Sequence, residues 1–210
     1  MCKKIIIKLD DFGTLTKKVK YTDKIVKFFK IKVCWGIIGQ RFETTTEKDI
    51  IWCKNALKSG LYYFFNHGYT HIHNEFKELT LEEQIEHLMK TQSVVKDKLN
   101  IVLDTFGAPC NSYNKEMVKA LEHIQNIKYW LYGEDKYNKT NFNIPSTNIE
   151  HPFPNANFKK FRAGYKKCSD DLIVLQGHPN SWKFKHFLEF IKIIIYLKLK
   201  NCEFIFTKDV

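Results

Sequence analysis

The chain predicts an α/β protein built on parallel strands, and three observations carry that expectation. Short apolar or aromatic runs alternate with helix-like stretches almost to the end of its 210 residues. Reactive residues recur just after those runs, where parallel α/β sheets gather their chemistry. A hydrophobic content of 44%, with 15% aromatic residues, supplies a packed core rather than a disordered chain. The rhythm fits either a barrel or an open doubly wound sheet. One domain spanning 1–210 is expected, because the length suits one substantial core and no Gly/Ser/Pro-rich linker divides it.

Residues 5–9 read as a buried strand, being short, β-branched-rich and nearly continuous in apolar character. A short helix over 22–29 and a second strand over 31–38 follow. Residues 47–59 read as a helix closed by Gly60, a natural C-terminal cap. The aromatic run 61–65 is a third strand. Thr80 and Glu83 form a capping box that opens a helix with its apolar stripe at Leu81, Ile85, Leu88, Val95 and Leu99. Strand 101–106, helix 115–124 and strand 128–132 come next. The polar, Asn-rich stretch 133–156, which contains three prolines, reads as an excursion loop. Strands over 157–161 and 172–175, a helix over 183–200 and a strand over 202–206 complete the series.

The formal charge is +11, yet all but Arg41 and Arg162 of the 34 basic residues are lysines. Reading of DNA sequence leans on Arg forks to guanine, so specific nucleic-acid recognition is not expected. The dispersed lysines predict a solvated basic surface with a weak attraction for anionic substrates or membrane surfaces. Met1-Cys2-Lys3-Lys4 leads into a strand rather than a signal core, and 187–199 is too short and too charged to span a bilayer. The six cysteines lack paired spacing and read as reduced thiols, which places the protein in the cytoplasm.

The candidate site begins at Asp10-Asp11. Two like charges side by side at a strand end are costly unless a metal or a proton-transfer role uses them. His67 and His71, four apart after the third strand, join Asp11 to supply two nitrogen ligands and one oxygen, a set suited to a catalytic zinc or similar divalent ion. No Glu follows His67, so a zincin protease is excluded. Pro109-Cys110-Asn111 and His178 also follow strands. Trp182 and Trp35 are candidate walls of a sugar pocket, and Glu75 a candidate partner for an imidazole. His87, His123, His151 and His186 read as surface residues, and His73 as solvent-facing.

With these residues in place, the chain resembles the polysaccharide deacetylase superfamily, the NodB-homology group or family-four carbohydrate esterases. The matching motifs are Leu9-Asp10-Asp11-Phe12-Gly13, His67-Gly68-Tyr69-Thr70-His71, Phe106-Gly107-Ala108-Pro109-Cys110-Asn111 and Leu175-Gln176-Gly177-His178, in the family's order. The last is one residue longer than the family's pattern. The resemblance implies a distorted (β/α) barrel of about seven parallel strands and one divalent metal ion, zinc before other transition metals, on Asp11, His67 and His71. It further implies Asp10 as general base toward the attacking water and His178 as acid toward the leaving amine. A backbone N–H near Cys110 would face the oxyanion, and Pro109, Cys110, Asn111 and Trp182 would meet substrate.

Three departures accompany it. Gly107 stands where the family carries an Arg that steadies the base, and Cys110 where it carries a Tyr. The Asp-x-x-Asp-Trp motif that tunes the acid histidine is missing, with Glu134 or Asp135 as its substitute. The implied function is removal of an N-acetyl, or alternatively N-formyl, group from an amino sugar in surface-polysaccharide biosynthesis. A nucleotide- or lipid-linked sugar fits a cytoplasmic enzyme best. The alternative is a carbohydrate-binding pseudoenzyme that keeps the barrel after losing the tuned base.

Overall fold

The structure is a computed structural model that describes residues 2–134, 137 and 139–210. Seven strands pair in parallel in the spatial order β6-β5-β4-β3-β2-β1-β7. They are β1 (Lys4–Phe12), β2 (Val33–Ile37), β3 (Tyr62–Asn66), β4 (Thr105–Gly107), β5 (Tyr129–Leu131), β6 (Thr140–Phe142) and β7 (Leu172–Gly177). A short β8 (Glu203–Phe204) adds to the start of β1. The sheet curls into a half-barrel surrounded by helices, the distorted barrel that the motifs imply. Its ends approach where the Tyr132 hydroxyl, just after β5, donates to the Val174 carbonyl of β7 at 2.8 Å.

The helices are α1 (Lys17–Phe29), α2 (Gly39–Glu43), α3 (Glu47–Lys58), α4 (Glu75–Glu78), α5 (Leu81–Leu99), α6 (Met117–His123), α7 (Phe158–Tyr165) and α8 (Phe184–Leu199). Side-chain oxygens set several starts. Thr16 accepts from the Val19 N–H, and Thr46 and Thr80 form reciprocal capping boxes with Asp49 and Glu83.

The two-residue period of the strands decides which side chains meet helices and which meet the barrel interior. Ile5, Ile7 and Leu9 of β1 pack outward with Trp35, Phe64, Ile173 and Leu175 against α8 residues such as Ile193 and Leu197. Each such buried side chain contributes about 1.5–3 kcal/mol relative to exposure. Ile6, Cys34, Phe65, Leu131 and Val174 point inward and share a second cluster with Ile205 and Phe206. Continuing the inward positions along each strand brings Lys8, Asp10, His67, Gly107 and Gln176 to one end of the barrel. The register Leu9↔Gly177, Leu9↔Trp35 and Ile37↔Asn66 sets these strand ends level with one another.

Several local expectations change. Residues 157–161, expected as a strand, open helix α7, because the Asn157 side chain accepts from the Lys160 N–H and caps it. Of 101–106 only the end is strand, since β4 begins at Thr105. Helix α1 starts before residue 22, at the Thr16 cap. The stretch 133–156 is mostly irregular but holds β6, the edge strand. No described helix is long and apolar enough to cross a membrane, and all six cysteines are unpaired.

Gly36 sits inside the barrel, where an added Cβ would meet the Phe65 ring at 2.6 Å and His67 Cβ at 2.8 Å. Gly36→Ala therefore overpacks the interior and lowers stability by about 1–3 kcal/mol. Urea denaturation measures this, and an unchanged midpoint contradicts the packing described.

Candidate active site

Four strand ends deliver the site's side chains, and those of β1, β3 and β4 use strained backbone to do so. Asp11 (φ 68°), His71 (φ 58°), Cys110 (φ 55°) and Asn111 (φ 50°) all lie in the left-handed region. Each such residue costs on the order of 1–3 kcal/mol, so the surroundings must hold it. Asn180 donates its amide to the Asp11 carbonyl at 2.9 Å. Buried Glu75 accepts from the N–H groups of Tyr69, Thr70 and His71 at 2.8, 3.2 and 2.7 Å, and also pairs with His87 Nδ1 at 2.8 Å. Gly68, between the histidines, has no room for a side chain: a Cβ would lie 2.7 Å from Glu75 Oε2 and 2.8 Å from Pro109.

Asp11, His67 and His71 present one ligand atom each, all within 4.8 Å of one another. The His71 and His67 Nε2 atoms approach Asp11 Oδ1 to 2.8 and 3.4 Å, without hydrogen-bond alignment. Asp11 Oδ1 and His67 Nε2 are buried with no hydrogen-bond partner. His67 Nδ1 lies 2.6 Å from the Gly107 carbonyl, which fixes the tautomer and turns the Nε2 lone pair toward Asp11. Burial opposes the Asp11 charge, but when the facing imidazoles carry protons on Nε2 they outweigh it and hold the carboxyl well below the usual carboxylate range. Two imidazoles, one carboxylate and unpartnered lone pairs converging on one point fit a catalytic divalent ion.

Asp10 is fully buried on the inward face of β1. Its Oδ2 accepts from Lys8 Nζ at 2.5 Å and from Gln176 Nε2 at 2.6 Å, while Oδ1 has no hydrogen-bond partner. Burial opposes its charge, and the Lys8 ammonium, followed by His67 and His178, outweighs burial and keeps the carboxyl below its ordinary range. His178 places Nε2 3.4 Å from Asp10 Oδ2 and Nδ1 2.8 Å from Glu150 Oε2. Glu150 Oε1 accepts from the His178 N–H at 2.8 Å and from the Trp182 indole N–H at 2.5 Å. Burial pushes the His178 pKa down; the Glu150 hydrogen bond and the charges of Asp10 and Glu150 push it up further, for a net rise.

Beside these groups lies a cavity of about 360 Å³ lined by Asp11, His71, Cys110, Asn111, Gln176 and His178, together with Asn148, Glu150 and Phe153. The Cys110 thiol faces this cavity, and burial followed by the Asp11 charge pushes it up, so it stays protonated rather than nucleophilic. Pro109 is buried against Gly68 and does not reach the cavity. Trp182 and Trp35, expected as pocket walls, are fully buried instead. Trp35 shares the outward parity of Val33 and Ile37, and Trp182 packs over Gly177 and holds Glu150.

Other partners also differ from expectation. Glu150, not Glu134, pairs with His178; Asp135 lies outside the described residues. Glu75, the candidate partner for an imidazole, is buried and pairs with His87, which was expected at the surface. His186 is buried, and His151 accepts from the Asn148 N–H; His123 and His73 are exposed. Lys8 escaped notice inside an apolar strand. Its one visible signal was parity, since it stands two residues before Asp10 and so shares its face.

Solved structures with this fold are family-four carbohydrate esterases. An acetyl xylan esterase from Clostridium thermocellum, in complex with a cobalt ion, superposes with a TM-score of 0.71 at 13% identity, over 99% of this chain and 89% of that one. A peptidoglycan deacetylase from Bacillus subtilis gives 0.68 at 14% identity, over 99% and 89%. A pseudoenzyme of the same family from Bacillus anthracis gives 0.68 at 16% identity, over 96% of this chain and 63% of its own length. At these identities the likeness is one of fold. No protein-family model and no curated protein sequence matches the chain.

Two outcomes follow from the geometry. His71→Ala weakens zinc binding by more than the roughly 10–100-fold that loss of an outer partner costs, as read by competition with a chelating dye. Glu150→Gln removes the contact that raises His178, so an NMR titration finds the His178 pKa lower than in the wild type. An unmoved titration contradicts the role given to Glu150.

Proposed function

We propose that the chain is a metal-dependent hydrolase that removes an N-acyl group, acetyl or alternatively formyl, from an amino sugar. One observation carries this reading: a metal-ligating set, an ionised buried carboxylate and a carboxylate-paired imidazole lie together at one end of the barrel, and Asp11, His71 and His178 open onto a single cavity. A divalent ion held by Asp11, His67 and His71, zinc foremost, supplies Lewis-acid polarisation and lowers the pKa of water at the site. Lys8 and Gln176 occupy Asp10 Oδ2, so Oδ1 is the atom free to take the proton of the attacking water. His178 gives its Nε2 proton to the departing nitrogen while Glu150 keeps Nδ1 engaged. An amine departs poorly until protonated, so an acid distinct from the base suits amide cleavage.

Asn111 and Gln176 offer hydrogen-bonding groups to hydroxyls, and Phe153 stands exposed and edge-on to the His178 ring at 4.8 Å between centroids. Polar groups beside an aromatic side chain suit a sugar ring. Beyond Asp11 a second cleft runs past Lys17, Lys18 and Arg41. Its positive wall supports a sugar carried on a nucleotide or lipid phosphate, and with it a cytoplasmic role in surface-polysaccharide assembly. The second reading, a carbohydrate-binding pseudoenzyme within the single domain, draws on Gly107, which stands where the resemblance expects the Arg that steadies the base.

Zinc-loaded protein is expected to release acetate or formate from a nucleotide-linked N-acyl hexosamine. Release from chitin oligomers alone would overturn the substrate assignment. Asp10→Asn retains stoichiometric zinc while turnover falls about 10²–10⁴-fold. A binder without catalysis shows no such loss. His178→Asn slows amide cleavage far more than cleavage of an aryl acetate, because a phenolate leaves without needing a proton. Equal losses on both would remove His178 from the acid role.

A further inference from the structure

The base carboxylate has a partner that the motifs do not announce. Lys8 and Asp10 are both fully buried, and Nζ meets Oδ2 at 2.5 Å. The ammonium lies among aromatic rings, 5.3 Å from the centroid of Tyr132 and 5.7 Å from that of Phe65. A lysine is almost never fully buried without a compelling partner, and an isolated buried ion pair is a weak source of stability. A hydrophobic residue at position 8 would continue the Ile5–Ile7 pattern at no such cost. The charge at this position therefore answers to Asp10 rather than to packing.

Gly107 explains how the lysine fits. A Cβ on Gly107 would lie 3.1 Å from Lys8 Cε and 2.9 Å from the Phe65 ring. The space that a side chain at 107 would need is shared by the Phe65 ring and the end of the Lys8 stem. Resting on the hydrolase reading above, we propose that Lys8 is the positioning residue for the base Asp10, entering from β1 instead of β4. The absence of a side chain at Gly107 leaves room for Lys8 beside the Phe65 ring. The missing cation has been relocated rather than lost, and Gly107 ceases to be an argument for a pseudoenzyme.

The test exchanges the two positions, with zinc-loaded protein and 4-methylumbelliferyl acetate as the probe. Lys8→Met lowers kcat by about 10²-fold or more while KM and bound zinc stay near wild type. Gly107→Arg alone lowers kcat and Tm, because the new side chain collides with Lys8. The double variant Lys8→Ala/Gly107→Arg regains at least tenfold in kcat over Lys8→Ala, and its crystal structure shows the guanidinium on Asp10. A merely structural lysine would change Tm without a kcat-specific loss and without rescue from position 107. Failure of rescue, or a Lys8→Met variant with wild-type kcat, overturns the proposal.

Thermal denaturation separates this inference from the function on which it rests. Lys8→Met leaves a buried carboxylate unpaired and lowers Tm on the order of 10 °C, and adding Asp10→Asn restores most of that loss. If the wild type cleaves no acyl probe but the cycle shows this coupling, the hydrolase reading fails and the pairing stands. If turnover is present and the cycle shows no coupling, the pairing fails alone.

Discussion

The site depends on keeping one carboxylate charged although it is buried in the barrel. Asp10 is fully buried at the inner end of β1. The effective penalty for burying such an ion is several kcal/mol, so every neighbour within reach has to offset it. Lys8 from the same strand, Gln176 from β7 and the imidazoles of His67 and His178 do so. Those groups come from three strands, so the parallel register that levels the strand ends is also what permits the charge. Asp11, one residue on, reaches the cavity because its left-handed backbone falls where the pairing of β1 with β2 shifts register between Leu9 and Phe12. The adjacent acids thus separate into a carboxylate anchored by a buried ammonium and one faced by two histidines.

Much of this arrangement was legible in the chain. The βα rhythm carried the architecture, and the residues just after strands, Asp10, Asp11, His67, His71 and His178, arrive at one end of the barrel. Their partners were harder to see for identifiable reasons. Lys8 lies in a run so apolar that its charge read as an interruption, although its spacing from Asp10 set both on one face. Glu150 is 28 residues from His178 and sits in the irregular stretch 133–156, where spacing carries no information about which acid turns inward. Glu75 works through backbone N–H groups of a loop, which no side-chain motif records. The tryptophans misled because a large aromatic beside a motif fits a sugar wall and a core equally well, and strand parity decided for the core.

The fold alone leaves activity open, since its relatives include esterases, deacetylases and a pseudoenzyme. What bears on the two outcomes is whether the residues proposed as acid, base and metal ligands are each independently supported. Here each has a dedicated anchor. Glu150 and Trp182 hold His178, Lys8 and Gln176 hold Asp10, and the Gly107 carbonyl and Glu75 hold His67 and the His71 backbone. Of the four strained residues at the rim, His71 is held through Glu75, Asp11 through Asn180 and Asn111 through Gln176.

Anomalous scattering at the zinc edge from crystals grown with zinc tests the central claim most directly. One peak per chain is predicted, bounded by Asp11 Oδ1, His67 Nε2 and His71 Nε2, with Asp10 outside the coordination sphere and still joined to Lys8. A peak that recruits Asp10 as a ligand, or no peak between the two histidines, would contradict the division of labour between the paired acids.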